Sequence, residues 1–263
     1  AGHPYGQPVL GSEESLRALD VAAARAWHRE HLLTGQLVIG VVGDLDDSEI
    51  AAIVARDFAD LRMRDAAPVP APEWPAAPAR DVEQREKAQT ALALLFPSPA
   101  RTDDDRRAAH LLAGVASGLG GRFFDELRDK RSLAYTVHAF PTERERAGAF
   151  VAYIATGPEQ EETARAGLLA EFAKLREVPV TGEELARAQR YAIGTHAIQQ
   201  ESGGAQLSEM VDAWLHGRGL GELLHHDDEV RAVTPERIQA LAQRYFTEDR
   251  LVEGIVRGTG RKV

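Results

Sequence analysis

The 263-residue sequence contains no cysteine. Disulfides, thiolate zinc sites and cysteine nucleophiles are therefore excluded. No run approaches 18 apolar residues, so we expect no transmembrane segment. Basic residues are in deficit, since 31 Lys and Arg against 41 Asp and Glu give a net charge of −10. This balance argues against nucleic acid or an anionic membrane as the main partner. Only four of the basic residues are lysines, which favours a GC-rich bacterial genome. The compartment, periplasm or cytoplasm, stays open.

Several other features are missing. The chain opens on Ala1-Gly2-His3-Pro4 without an initiator Met or a signal-like stretch, so we expect a processed chain or a fragment of a longer one. The sequence has no G-x-S-x-G elbow, Walker loop or kinase signature, and neither H-E-x-x-H nor H-x-x-E-H occurs in it. The common sequence motifs for a catalytic nucleophile, a nucleotide site or a zinc site therefore identify no catalytic residue in this chain.

Proline divides the chain. Residues 65–79 hold five prolines in fifteen positions, a composition that predicts an extended linker. Before it, the spacing of apolar residues predicts a helix over 12–33, with Leu16, Leu19, Ala23, Trp27 and Leu32 on one face. The apolar run at 37–42 predicts a buried strand, and Asp46 with Glu49 predicts the start of a helix reaching about residue 61.

After the linker, the pattern predicts strands and helices in alternation. The predicted strands are 89–96, which Pro97 ends, 133–140, 149–156 and 251–256. The predicted helices are 103–115, 122–130, 158–177, 181–200, 206–216, 220–231 and 234–245, with Thr181–Glu184 and Thr234-Pro235 as start signals.

An internal repeat relates the two ends of the chain. Residues 17–43 align without a gap to 231–257, at an offset of 214 residues, with seven of 27 positions identical. Both copies predict a capped helix, a turn and a strand. Either this is a chance similarity of two common units, or the chain carries the tail of one domain and the whole of a second, homologous one.

Two histidine groups in the sequence are candidate metal ligands. His28 and His31 lie three residues apart on a predicted helix and can share a metal, but no third ligand is positioned by sequence. The segment from His225 to Asp228 is a second polar helical stretch. Partly exposed helical histidines are the favoured interpretation of both groups.

A charged segment after a glycine-rich turn is the main candidate site. Residues 117–121 read SGLGG, and 121–137 read GRFFDELRDKRSLAYTV. Arg128 and Tyr135 lie seven residues apart across a predicted helix-to-strand junction. A guanidinium and a phenol aimed at one cavity can hold a peptide carbonyl or a carboxylate. On spacing alone, an amphipathic helix with surface ion pairs is the favoured interpretation.

These stretches carry a family resemblance. The segment 121–137 resembles the second-domain signature of the pitrilysin/insulinase metallopeptidases, close to mitochondrial processing peptidase subunits and bacterial two-domain zinc proteases. HPYGQPVLG at 3–11 and LVIGVVGDLD at 37–46 resemble the second half of that family's first domain. The resemblance covers nearly the whole chain, and the family's duplicated domains agree with the repeat.

The resemblance implies roles for a few residues. Arg128 and Tyr135 match the family's substrate-binding and catalytic pair, with the Tyr hydroxyl on the scissile carbonyl and the Arg on the substrate backbone. Gly120 and Gly121 match the loop that shapes the cavity and are expected to contact substrate. No metal ligand is assigned in this chain. Zinc would belong to a missing first-domain segment or to a zinc-bearing partner subunit.

The expected fold is α+β, a mixed, mainly antiparallel sheet packed against helices in duplicated domains of the processing-peptidase type. The expected boundaries are 1–64 for the remainder of the first domain, 65–79 for the linker and 80–263 for the complete second domain. The expected function is the substrate-clamping part of a zinc metalloendopeptidase, inactive alone and acting on peptide or unfolded polypeptide, in a possible homo- or heterodimer. The alternatives are a non-catalytic scaffold or interaction subunit and an unrelated metal module using His28 and His31.

Overall fold

A mixed five-stranded sheet is the centre of the second half of the chain. The computed structural model describes residues 3–32, 37–59, 69–118 and 120–260. Within them the strands are β1 (Ala79–Arg85), β2 (Thr90–Ser98), β3 (Thr136–Arg144), β4 (Ala147–Thr156) and β5 (Val252–Gly258). Their spatial order is β1-β5-β2-β4-β3. Only β1 and β5 run parallel, and the other neighbours are antiparallel. The predicted α+β fold with a mixed, mainly antiparallel sheet is confirmed.

Strand β1 is absent from the sequence-based prediction. Its residues, ARDVEQR, are all exposed and show no apolar alternation. The strand forms because its backbone pairs in register with β5, from Ala79 opposite Val252 to Arg85 opposite Gly258. An edge strand whose side chains remain in solvent carries no periodic signal in the sequence.

Pro97 does not end β2, contrary to the prediction. The strand continues to Ser98, and Pro97 lies opposite Ala149 of β4. On its other side, β2 pairs with β5 only over residues 91–95. At Pro97, β2 has β4 on one side and no paired residue of β5 on the other. Proline, which has no N–H to donate, is tolerated at such an edge position.

Ten α-helices occur in the described residues. They are α1 (Glu13–Ala18), α2 (Val21–His31), α3 (Asp47–Asp57), α4 (Arg106–Ser117), α5 (Glu161–Glu177), α6 (Gly182–Gln199), α7 (Gly203–Leu215), α8 (Gly221–Leu224), α9 (His226–Arg231) and α10 (Pro235–Tyr245). The capping box predicted for α6 is present, since Thr181 N–H donates to Glu184 and Glu184 N–H donates to the Thr181 hydroxyl. The predicted 220–231 helix is two helices that meet at His225.

The sheet buries one face against helices α4, α5 and α10. Alternate residues of β2 and β4 are fully buried, among them Leu92, Leu94, Ala152 and Ile154, and the residues between them are half-buried. This alternation follows from the two-residue period of a strand, which places one set of side chains against the helical layer.

A cluster of five phenylalanines joins the sheet to its helices. Phe172 of α5 is 2% exposed. Its ring centroid lies 4.7 Å from that of Phe96, 4.9 Å from Phe246, 5.4 Å from Phe123 and 6.1 Å from Phe150. Tilted and edge-on aromatic pairs at these distances add stability beyond the area they bury. The cluster therefore connects β2, β4, α5, the end of α10 and the segment that follows α4.

We expect Phe172→Ala to lower the free energy of unfolding by about 3–5 kcal/mol, because it opens a cavity where four rings meet. Phe140→Ala is the matched control, since Phe140 of β3 is 47% exposed and should change stability by less than about 1 kcal/mol. Urea unfolding followed by circular dichroism measures both. Equal losses in the two variants would contradict the central role of the cluster.

The chain divides into two compact units. One contains the described residues up to Pro72 together with Glu201–Gly219, and the other contains Glu73–Gln200 and the chain from Leu220 onward. The first unit thus comprises α1, α2, α3 and α7, and the second comprises the sheet with its helices. The boundaries at 64 and 80 stay a prediction.

The first unit corrects two predictions. The helix expected over 12–33 is two helices, because the Asp20 side chain accepts from Ala23 N–H and starts α2 anew, and residue 33 lies outside the described residues. The buried strand expected over 37–42 is also wrong. No described strand pairs with that segment, and Leu37, Ile39 and Val41 are exposed. Its Gly40 faces Leu207 and Val211 of α7, so an extended apolar run lies on one helix without a strand beside it.

The repeat holds for its helices. Helix α2 (Val21–His31) and helix α10 (Pro235–Tyr245) coincide under the offset of 214 residues, and a side-chain cap precedes each, at Asp20 and Thr234. Their environments differ. Four residues of α10 are buried, whereas none of α2 is. The α2 residue aligned with buried Leu241 is Trp27, which is 60% exposed. The second strand of the repeat is β5, and the first copy has none in the described residues.

Candidate substrate-binding site

The segment predicted as a helix over 122–130 winds as a π-helix. After a first turn at Arg122 and Phe123, residues Phe124–Lys130 form the wider π turn. Phe123 and Leu127 are fully buried, and Phe123 belongs to the phenylalanine cluster. The buried pair holds the segment to the core, and half-buried Phe124 also packs against that core. Short π-helical stretches are frequent at functional sites.

The structure brings Arg128 and Tyr135 together. The guanidinium carbon of Arg128 lies 4.2 Å from the centroid of the Phe124 ring and 5.1 Å from that of Tyr135. Both distances fall within cation–π range. Tyr135 is 81% exposed, and Arg128 is half-buried. Two aromatic faces thus hold a cation beside an exposed phenol.

A tight turn makes this meeting possible. Ser132 has a φ of 51°, the only positive value at a non-glycine residue in the described chain. Its N–H donates to the Arg128 carbonyl at 2.9 Å, and Leu133 N–H donates to the Leu127 carbonyl at 2.8 Å. These nested bonds close the π-helix in the manner of a left-handed helix ending. The chain turns back there, so that Tyr135, immediately before β3, lies beside the π-helix.

Tyr135 and Phe124 line a cavity of about 500 Å³. Its other walls come from α4 and the turn after it, from the start of β3 and from α6. The remaining lining residues are Gly114, Ser117, Gly118, Thr136, Val137, His138, Arg187, Ala188 and Tyr191. The α6 residues Arg187 and Tyr191 are absent from the sequence-based prediction, because only folding brings α6 beside the π-helix.

Gly120 and Gly121 shape the turn beside this cavity and are not among its lining residues. Gly120 has a φ of 75°, and its carbonyl accepts from the Arg187 guanidinium at 3.1 Å. A side chain on Gly121 would lie 2.8 Å from the carbonyl oxygens of Ala116 and Gly118. The first glycine therefore positions a lining residue, and the second permits a close backbone approach.

An ion pair fixes the start of the π-helix to α6. The Arg122 guanidinium donates to both carboxylate oxygens of Glu184, at 2.7 and 2.8 Å, and to the Pro179 carbonyl at 3.1 Å. The bond from Arg122 is the largest influence on Glu184. Together with the Thr181 capping bonds it lowers the pKa of that carboxyl from 4.5 to about 2, against the effect of burial.

We expect this pair to make stability depend on pH. The lowered pKa means that the contribution of Glu184 is complete above pH 4.5 and is lost as the pH falls towards 2. Glu184→Gln should cost about 1.5–3 kcal/mol at pH 7 and little at pH 2. Glu183→Gln, at the exposed neighbouring position, is the control with the same change of charge. If the free energy of unfolding changes with pH in the same way for both variants between pH 2 and 6, the Arg122–Glu184 pair does not contribute to stability.

The lining residues do not fit a zinc site. Among them only His138 is an ordinary zinc ligand, and Arg187 brings a positive charge to the same cavity. His28 and His31 both lie in the last turn of α2, where the ring of His31 contacts Trp27. In the part of the chain that the structure describes, they belong to no group of three ligating side chains.

Comparison with known proteins places the chain among zinc-protease relatives. It is 28% identical over 251 residues to an uncharacterized zinc protease of Streptomyces coelicolor, a match that covers 90% of this chain and 54% of the relative. The crystal structure of a peptidase M16 inactive domain from Pseudomonas fluorescens superimposes with a TM-score of 0.87 at 25% identity, covering 98% of this chain and 63% of that one. The chain thus spans a little over half of these relatives.

The family follows from a longer match. The family model described as the peptidase M16 inactive domain matches residues 18–191, more than half of the sequence, and the chain belongs to that family. The resemblance to the pitrilysin/insulinase metallopeptidases is confirmed. The fold is shared more widely, since a chain of complex III2 from Candida albicans superimposes with a TM-score of 0.80 at 13% identity, covering 95% of this chain and 62% of that one. No described helix is long and apolar enough to span a membrane.

Proposed function

We propose that this chain is the substrate-clamping part of a zinc-dependent peptide hydrolase, with Arg128 and Tyr135 as the residues that contact the peptide. The observation that carries the proposal is the placement of the Arg128 guanidinium between the rings of Phe124 and Tyr135, beside a cavity of about 500 Å³. A cavity of this size lies within the usual range of ligand pockets.

The surroundings of Arg128 support a binding role over a structural one. Lys130 on the same π-helix forms ion pairs with Asp125 and Glu126, at 2.7 and 3.5 Å. Among the described residues no carboxylate pairs with Arg128, and its cation lies against aromatic faces. Its N–H donors are therefore available to peptide carbonyls or a carboxylate.

Tyr135 supplies a donor for the transition state in this proposal. Its ring contacts Arg128, and the residue is exposed, so its hydroxyl is available to a bound peptide. A hydroxyl that donates to the scissile carbonyl oxygen as it gains negative charge stabilises the transition state more than the ground state. Arg128 would hold the peptide backbone close by. Zinc, when bound in the missing first-domain segment or a partner subunit, would supply the activated water, and this chain alone would not hydrolyse peptides.

Exposed apolar surface supports a covering partner. In the first compact unit Leu16, Leu19, Trp27 and Leu32 are more than half exposed, although Trp27 aligns with a core residue of α10. Apolar exposure of this extent is typical of a face that another polypeptide covers. The rest of the parent protein, or a zinc-bearing subunit, would be that polypeptide.

The decisive test is Tyr135→Phe in the parent protein, or in this chain reconstituted with its zinc-bearing half. Loss of one transition-state donor should lower kcat by about 10²–10³-fold with little change in KM. Tyr153→Phe, which removes a hydroxyl from β4 outside the cavity lining, should leave kcat unchanged. Turnover of Tyr135→Phe equal to the control would remove Tyr135 from the catalytic account.

Arg128→Gln should act differently, because Arg128 is proposed to bind the peptide backbone in ground and transition states alike. We expect KM to rise by about tenfold or more, which is about 1.4 kcal/mol of binding. Lys130→Gln, four residues from Glu126 on the same helix, is the control and should keep KM. Steady-state kinetics on a fluorogenic peptide measures both variants, and an unchanged KM for Arg128→Gln would contradict the assignment.

A non-catalytic scaffold subunit is the second candidate, and the likeness of the fold to a chain of complex III2 favours it. A scaffold needs neither Arg128 nor Tyr135. Pull-down of the parent assembly with both residues replaced by Ala distinguishes the two functions. Assembly that persists with loss of peptide binding supports the clamp, whereas a parent that binds no peptide in either form supports the scaffold.

A further inference from the structure

Two histidines and an aspartate meet at a point away from the cavity. His196 lies in the last turn of α6, and His226 and Asp227 begin α9. They are brought together because α6 packs against α9 and because the chain breaks between α8 and α9 at His225. His226 is buried, and the other two are half-buried.

The three groups lie close enough together for side chains of all three to reach one cation. The imidazole rings of His196 and His226 stack with centroids 3.7 Å apart and planes 18° from parallel. One ligand atom from each of the three residues lies within 4.8 Å of the other two. Tetrahedral zinc with bonds of about 2.1 Å needs ligand atoms about 3.4 Å apart. Zinc binding therefore requires the two stacked rings to rotate apart until one nitrogen of each faces the same point.

A hydrogen bond identifies one unprotonated ring nitrogen in the group. The Gln200 side-chain nitrogen lies 3.3 Å from Nε2 of His196. An amide nitrogen only donates, so Nε2 of His196 accepts, and a metal bound at this nitrogen would displace the Gln200 amide.

The charges facing the site come from several elements. Arg107 of α4 approaches His226, but its own guanidinium pairs with Glu229 at 3.0 Å and Glu222 at 3.5 Å. Arg231 pairs with Asp227 through the carboxylate oxygen Oδ2 at 3.4 Å, and the other oxygen, Oδ1, lies 3.2 Å from Nδ1 of His226. One oxygen of Asp227 therefore faces the imidazoles, and the carboxylate is held in place.

We propose that His196, His226 and Asp227 bind one transition-metal dication of the zinc type, with water completing the coordination. The site is separate from the zinc that the proposed peptidase activity requires, and it joins the end of α6 to the start of α9. Because α6 also supplies Arg187 and Tyr191 to the cavity, a metal at this position would stabilise the cavity wall.

The test is calorimetric titration of the full 263-residue chain with zinc chloride after removal of metals by chelation, together with the melting temperature with and without zinc. We expect one zinc per chain and a higher melting temperature with zinc. His196→Gln and Asp227→Asn should each weaken binding by about tenfold or more, since even outer-shell changes cost 10–100-fold. His225→Gln, at the exposed neighbouring position, should bind as the unchanged chain does.

The outcomes separate this site from its rivals. Absence of stoichiometric zinc binding overturns the proposal. So does binding that survives both His196→Gln and Asp227→Asn, or binding that is lost only when His28 and His31 are replaced. The melting temperatures of the metal-free variants show whether each substitution has preserved the fold. Because none of these measurements involves peptide turnover, failure here leaves the proposed peptidase function standing.

Discussion

The contact of Phe172 with four other phenylalanine rings is the interaction on which the rest of the second unit depends. It joins two central strands, α5 and the end of α10, and through Phe123 it also holds the start of the π-helix. The same cluster that stabilises the sheet thereby determines where Phe124 and Arg128 emerge. Core packing and the position of the candidate site are consequences of one set of aromatic contacts. Because protein interiors are densely packed, these contacts limit the movement of the site.

Two constraints in series then place the reactive groups. The left-handed backbone at Ser132 reverses the chain after the π-helix, and the Arg122–Glu184 pair fixes that helix to α6. A left-handed non-glycine residue carries a conformational cost of about 1–3 kcal/mol and persists only where its surroundings enforce it. Here the left-handed turn at Ser132 places the Tyr135 ring against the Arg128 guanidinium. The proposed function of the pair depends on this placement.

The larger helices and strands could be predicted from the sequence because their signals are local. The capping box of α6, the start of α10 at Thr234 and the strand alternation of β2 and β4 depend on residues within a few positions of one another. The predictions for β1 and for residues 37–42 were wrong for one shared reason, since a strand exists only when another strand pairs with it. The polar β1 acquires such a partner in β5, and the apolar run at 37–42 has none among the described strands. The same limit hid the lining residues of α6 and the approach of His196 to His226.

The amino-acid sequence by itself determined the periodicity of the helices, the repeat that equates α2 with α10, the family signature at 121–137 and the candidates Arg128 and Tyr135. Composition determined the absence of thiol chemistry. Only the tertiary structure decided that the signature winds as a π-helix, that Gly120 and Gly121 serve the turn and lie outside the cavity lining, and that a buried histidine meets a second one from a helix thirty residues away. The physical reason is that propensity and capping act along the chain, whereas cavities, ring stacks and strand pairs form between segments that only folding brings together.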